Sequence, residues 1–308
     1  GLLCCPPPGV FGDAPSGPGR SGSRHSKDQQ LPRRTGTAMS PHHPLSFVAT
    51  GWRYKELITQ LTWRRIEVRY RGSVFGLLWA VFEPLAMLAI YTFVFSLVFK
   101  ARWGALPNER GEFALLLFSG LTIYAIFSES VNEAPQAIVG SETFVKQLVF
   151  PTEILAWVSV VAGLFKFSVS SALLIVFYRW TQGNLPVTAL LLPAVILPVI
   201  FLTLGVTWIF SSLGVFLRDC GQLVGLGTTA LLFLSPIFYP ASIVPERYRD
   251  LFFANPLAGV LEMSKLSLFE GGVPDPAEWL LLLGISWAVA WAGHSWFVGT
   301  KSSFADVL

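Results

Sequence analysis

WRYKELITQLTWRRIEVRYRGS (Trp52–Ser73) runs without a break into VFGLLWAVFEPLAMLAIYTFVFSLVF (Val74–Phe99), and that junction decides the fold. In the first stretch Tyr54, Leu57, Ile58, Leu61 and Val68 recur at helical spacing and predict one apolar face. Arg53, Lys55, Arg64, Arg69 and Arg71 crowd the remainder, while Arg65 falls inside the apolar face with a stem able to snorkel. A basic amphipathic helix beside a span reads as an interfacial helix on the cytoplasmic leaflet; a solvated charged helix is the other reading. The second stretch is longer than the ~30 Å hydrocarbon core requires at ~1.5 Å per residue, so it should tilt or kink, with Pro84 the expected place.

The same apolar character continues outward from that first span. Further spans are expected at about Phe113–Val131, Ile154–Tyr178, Val187–Leu217 (broken by Pro193 and Pro198), Gln222–Tyr239 and Ala277–Val298. All must be helical, because hydrocarbon satisfies no open backbone. The segment SPIFYPASIVPERYRDLFFANPLAGVLEMSKLSLFEGG is too interrupted to span and predicts short re-entrant helices between the fifth and sixth spans. The expected fold is therefore an all-α membrane protein: an interfacial helix, six transmembrane helices and an external lid. Hydrophobic residues make up 53% of the 308 and charged residues 13%, against about 25% charged in a soluble domain. That balance excludes a disordered chain and argues against a soluble enzyme.

Six Lys/Arg lie between Met39 and Ser73, which the positive-inside rule assigns to the cytoplasm. Six spans then return the C-terminus, residues 301–308, to the same side. Residues 1–38 are rich in Gly, Pro, Ser and Arg and read as a disordered tail, either a flexible extension or a stretch outside the native protein that begins at Met39. Residues 39–73 form the cytoplasmic N-terminal region and residues 74–300 the transmembrane domain. The +3 net charge resides in the tail, so no nucleic-acid footprint is present. Cys4, Cys5 and Cys220 show neither a CxxC nor a Cys/His spacing, so no metal site is expected.

Chemistry is sparse. The patterns GxxxxGK[ST], GxSxG and HExxH do not occur. His294 reads as a packing or interfacial residue. Glu83, Glu129 and Lys166 fall within the spans, and a cation such as Lys166 must face the bundle interior or a wet cavity. They read as structural pairing or cavity lining. A proton relay is the rival, weakened because the sequence scatters the three. Tyr91, Tyr124, Phe127, Phe233, Phe238 and Tyr239 lie in spans or at their outer ends. Such rings suit sugar C–H groups and serve equally as lipid contacts.

Three blocks carry a family resemblance. ELITQLTWRRIEVRYRGSVFGLLWAVFEPL (Glu56–Leu85), KQLVFPTEIL (Lys146–Leu155) and LGVFLRDCGQLVGLGTTALLFLSPIFYPASIVPERYRDLFFANPL (Leu213–Leu257) resemble type-two ABC exporter permeases for polysaccharides such as O-antigen, capsule and teichoic acid. The resemblance extends over about residues 50–300. Cys220, Thr152 and Lys166 depart from the family's usual residues.

The resemblance implies a homodimeric half-transporter in the bacterial inner membrane, multi-pass, both termini cytoplasmic. ATP and Mg would be held by a separate ABC ATP-binding subunit, with no cofactor and no catalysis on this chain. Arg64, Arg65, Arg69 and Arg71 would attract the diphosphate of an undecaprenyl-linked polysaccharide at the lipid surface. Glu142, Lys146, Pro151, Arg218 and Asp219 would face the ATPase, the aromatic residues would line the channel, and Ser235, Pro236, Pro240, Asn255 and Pro256 would form the outer gate. A lipid or drug exporter of the same type, a proton-coupled transporter and a membrane-embedded sugar transferase are the competing expectations.

Overall fold

The computed structural model describes residues 43–73, 75–94, 112–140, 150–239, 244–247 and 255–307. The tail at 1–38 lies outside them, as do Glu142, Lys146 and Pro240. Among the described residues every regular element is helical. Two short helices open the chain, α1 (Ser46–Arg53) and α2 (Lys55–Tyr70). A 3₁₀ turn at Gly76–Leu78 leads into α3 (Trp79–Tyr91). Then come α4 (Glu112–Val139), α5 (Ile154–Gln182), the one-turn α6 (Leu192–Val195), α7 (Leu197–Phe216), α8 (Cys220–Leu234), α9 (Pro256–Leu268), α10 (Pro276–Thr300) and α11 (Phe304–Val307).

Among the described residues, five stretches are long and apolar enough to cross a bilayer: Gly76–Val94, Phe113–Val139, Ile154–Thr181, Val187–Phe216 and Pro276–Ser303. The expected break in the fourth is present, with Pro193 and Pro198 each opening a new helix around Ile196. The predicted fifth span differs. It starts at Cys220 instead of Gln222, and the helix stops at Leu234 instead of Tyr239. Its 15 residues reach only ~22 Å. The cause is local: Pro236 forces its neighbour out of the helical region, and Ser235 is extended at ψ 148°.

Packing centres on α4 and α7. Leu115, Leu117, Ile123 and Ile126 of α4 are fully buried, as are Leu204 and Trp208 of α7. Gly205 and Gly293 let α7 and α10 meet backbone to backbone: a Cβ on Gly293 would press into the carbonyl oxygen of Gly205. Likewise Gly214 leaves room for the backbone of Pro135 on α4.

Helix α1 and the C-terminal part of α10 meet at one end of this bundle. Phe47 of α1 is wholly buried, edge-on to Trp208 and Trp287 at 6.0 and 4.8 Å between ring centroids. Ser46 Oγ lies 3.3 Å from His294 Nδ1, and the His294 ring is 5.0 Å from Trp208, a packing role. Lys301 Nζ donates to Glu153 at 2.7 Å, immediately before α5.

Helix α2 lies along α5 on Ile58, Thr62 and Ile66, a strict four-residue stripe. Tyr54, Leu57 and Leu61 flank it against Ile154 and Val158. Val68, expected on this face, is instead 60% exposed. It lies ten residues beyond Ile58, or ~280° around the helix.

Candidate functional site

Glu129 and Glu133 stand four residues apart on α4 and share one helix face. Arg65 and Arg69 do the same on α2, and the two helices meet as rungs. Arg65 pairs with Glu133, and Arg69 Nη1 lies 3.4 Å from Glu129 Oε2. Arg65 Nη1 also donates to Ser159 Oγ of α5 at 2.8 Å. Two turns further along α5, Lys166 Nζ donates to Glu129 Oε1 at 2.6 Å and to Glu83 Oε1 of α3 at 3.2 Å. Three carboxylates thus face three cations across four helices.

This assembly corrects the sequence reading of Glu83, Glu129 and Lys166 as scattered: they form one contiguous chain. Every carboxylate in it faces a cation, the arrangement of a structural clasp. Arg65, half-buried, has its guanidinium lowered from its ordinary range first by burial and then by Arg69, with Glu129 acting the other way. Burial pushes the Tyr70 phenol up, and Arg69, Glu83, Lys166 and Glu129 all lie close enough to act on it.

The clasp closes one end of a cleft of about 290 Å³ between α3, α4, α5 and α8, lined among others by Glu83, Tyr91, Tyr124, Lys166, Phe167 and Leu232. Of the predicted channel aromatics, Tyr91 and Tyr124 are here. Tyr124 is nearly buried, its hydroxyl donating to the Thr228 carbonyl, so only part of its ring is available. Phe127 is core, 4% exposed. Phe233 and Phe238 stack at 5.7 Å, and Tyr239 donates to the Phe233 carbonyl at 2.8 Å, forming a separate aromatic group past the end of α8.

A second recess, about 870 Å³, lies between α2 and the turn into α3, lined by two cations and one carboxylate, Arg64, Arg71 and Glu67, with Trp63, Tyr70 and Leu77 among others. Arg64 and Arg71, seven residues apart, share that face. The structure therefore divides the four predicted arginines. Arg65 and Arg69 turn to the bundle, whereas Arg64 and Arg71 are exposed and form no ion pair with a described residue.

Of the predicted gate residues, Ser235 and Asn255 meet. Asn255 accepts from Leu257 N at 3.1 Å as the N-cap of α9 and donates from Nδ2 to Ser235 Oγ at 3.0 Å, with Pro256 as the first residue of α9. Helix α9 buries Leu257, Val260, Leu261 and Met263. Arg218 and Asp219 are exposed in the turn between α7 and α8, and Pro151 is half-buried ahead of α5. Glu133, Ser159 and Tyr70 are site residues the sequence reading missed. The signal for Glu133 was there: the 129/133 spacing matches the 65/69 spacing.

Helices of this length, with a basic helix at their entry and ion pairs between them, define a multi-pass membrane protein. Residues 56–269 match the family described as ABC-2 type transporter, and the chain belongs to that family. It is 29% identical over 261 residues to the O-antigen export system permease protein RfbA of Myxococcus xanthus, covering 83% of this chain and 96% of that protein. A protein of the same name from Klebsiella pneumoniae is 29% identical over 256 residues, covering 82% and 95%. The polysialic acid transport protein KpsM of Escherichia coli is 25% identical over 224 residues, covering 72% and 84%.

Proposed function

We propose that this chain is the membrane subunit of an ATP-driven exporter that moves a lipid-linked polysaccharide, of O-antigen or capsule type, across the bacterial inner membrane. The observation that carries this reading is the near end-to-end match to O-antigen export permeases, 96% of one such protein being covered. The chain acts as a homodimer with two copies of an ATP-binding subunit, which holds ATP and Mg.

Six passes are counted by adding α8 and the residues after it to the five long helices. An even number is supported by α1 and α10 meeting at one end of the bundle through Ser46 and His294; that end is cytoplasmic. Helix α2 lies at the interface, and α9 belongs to the re-entrant segment behind the outer gate, where Asn255 ties it to Ser235.

The recess at Arg64 and Arg71 receives the diphosphate of the carrier lipid, since guanidinium forks match phosphate oxygens and Trp63 and Leu77 suit the first isoprene units. The glycan follows Tyr91 and the Phe233–Phe238–Tyr239 group through many weak ring contacts. The segment that includes Glu142, Lys146 and Pro151, with the Arg218–Asp219 turn, transmits closure of the ATP-binding subunits.

Deleting the gene should remove glycan from the cell surface and accumulate undecaprenyl-linked polymer inside. Restoring R64E/R71E should leave that defect in place with normal membrane insertion. Undiminished surface glycan in the deletion strain would overturn the exporter assignment, and full rescue by R64E/R71E would overturn the head-group role.

A further inference from the structure

The two α2 arginines that face the bundle are held very differently. Arg65 has two partners, Glu133 and Ser159. Among the described residues Arg69 has one, at 3.4 Å, and its side chain is 50% exposed. That partner, Glu129, is already gripped on its other oxygen by Lys166 at 2.6 Å. Glu129 therefore keeps a counter-charge when Arg69 leaves, and Arg69 leaves behind no unpaired carboxylate. An exposed pair of this kind holds its members together by only about two- to fivefold. A guanidinium on a phosphate makes paired, charge-assisted bonds and outcompetes it.

The recess and the clasp share a wall. Tyr70 lines the recess with Arg64 and Arg71, and it lies near enough to Arg69, Glu129, Lys166 and Glu83 to feel the charge of each. Arg69 directly precedes Tyr70 on α2, and its half-exposed side chain is free of the bundle except at Glu129 among the described residues.

We propose that Glu129 is a positioning residue for head-group binding: it parks Arg69 on the clasp when the recess is empty and releases it to the diphosphate of a polyprenyl lipid when that group arrives. Lys166 sets the balance, because the more of Glu129 it neutralises, the more freely Arg69 departs. This inference rests on the head-group reading of the recess. It adds a third cation to Arg64 and Arg71 and ties lipid arrival to the junction of α2, α3, α4 and α5.

The test is binding of geranylgeranyl diphosphate to the full chain in zwitterionic nanodiscs, with geranylgeraniol and inorganic diphosphate as separate arms. Wild type should bind the diphosphate lipid at least tenfold tighter than either control. E129Q, which frees Arg69 while Lys166 keeps Glu83, should tighten binding about two- to fivefold. K166M/E83Q, which preserves charge balance but leaves Glu129 wholly to Arg69, should weaken it by a similar factor. Both responses should vanish in an R69Q background.

Loosening of the fold would shift both variants in the same direction, so opposite signs identify the exchange. Should E129Q fail to fold, K166M/E83Q with and without R69Q carries the test alone. Equal binding of diphosphate lipid and alcohol by wild type overturns the head-group reading and this inference with it. Tight inorganic diphosphate binding assigns the recess to free phosphate instead, and likewise overturns both. Discrimination by wild type without an R69-dependent response in the variants overturns the exchange alone.

Discussion

Replacing Lys166 with Met deletes the cation that two carboxylates share. In the folded protein its Nζ is 2.6 Å from Glu129 and 3.2 Å from Glu83. Without it, Glu83 loses its only ion-pair partner among the described residues, and Glu129 keeps only Arg69 at 3.4 Å. Removing one member of a fully buried pair costs about 3–5 kcal/mol. The Glu83 and Glu129 side chains are 40% and 30% exposed, which places the cost between that and the ~1 kcal/mol of an exposed pair, at about 2 kcal/mol, or roughly 30-fold in the folded-to-unfolded ratio. Neutralising the stranded carboxylate should reverse most of it: K166M/E83Q should return to within ~1 kcal/mol of wild type, because the charge and its counter-charge leave together. Denaturant-driven unfolding of the purified chain in matched micelles measures all three proteins. A K166M variant as stable as wild type, or a double variant no better than the single, would refute the clasp as the reason Lys166 is tolerated in a span.

Three further outcomes follow from the packing. G293A should lose ~2 kcal/mol, since its Cβ would meet backbone atoms of Gly205, which places the overpacking near the top of the usual range at about 3 kcal/mol, less a helix-propensity gain of about 1; G284A on the same helix, with open space around its Cβ, should be neutral or slightly stabilising, and thermal unfolding of the pair checks both. N255A should destabilise by about 1–2 kcal/mol through loss of the α9 cap and the Ser235 bond, while N255D, which keeps the acceptor for Leu257 N, should fall between it and wild type in the same melt. Y124F should cost ~1 kcal/mol, a fall in Tm of about 2–4 °C, by leaving the Thr228 carbonyl without its donor; an unchanged melt would show that bond to be idle.

Much of this protein is written in one dimension. The apolar runs are long because a bilayer is thick, so the rough positions of the five long helices follow from hydropathy, and Pro193 and Pro198 break the fourth because each lacks an N–H wherever it sits. The end of α8 was the harder case. Hydropathy carries on through Ile237 and Phe238, but Pro236 overrides it, and a local steric rule outweighs apolar continuity there. Val68 lies off the buried face because ten residues carry it ~280° around the helix from Ile58, and the buried stripe Ile58, Thr62, Ile66 includes a polar threonine that hydropathy does not mark.

The sequence alone determined that this is a helical membrane protein entered through a basic helix, because span length and charge placement depend only on the order of residues along the chain. Only the tertiary structure decided what the charges do. Glu83, Glu129 and Lys166 are separated by up to 83 positions, and Arg64 and Arg65 are neighbours, yet the first three share one clasp while the last two face opposite tasks. Helix rotation sets which side each residue presents, and packing against α4 and α5 sets which side is met. Neither is fixed until the helices are in contact.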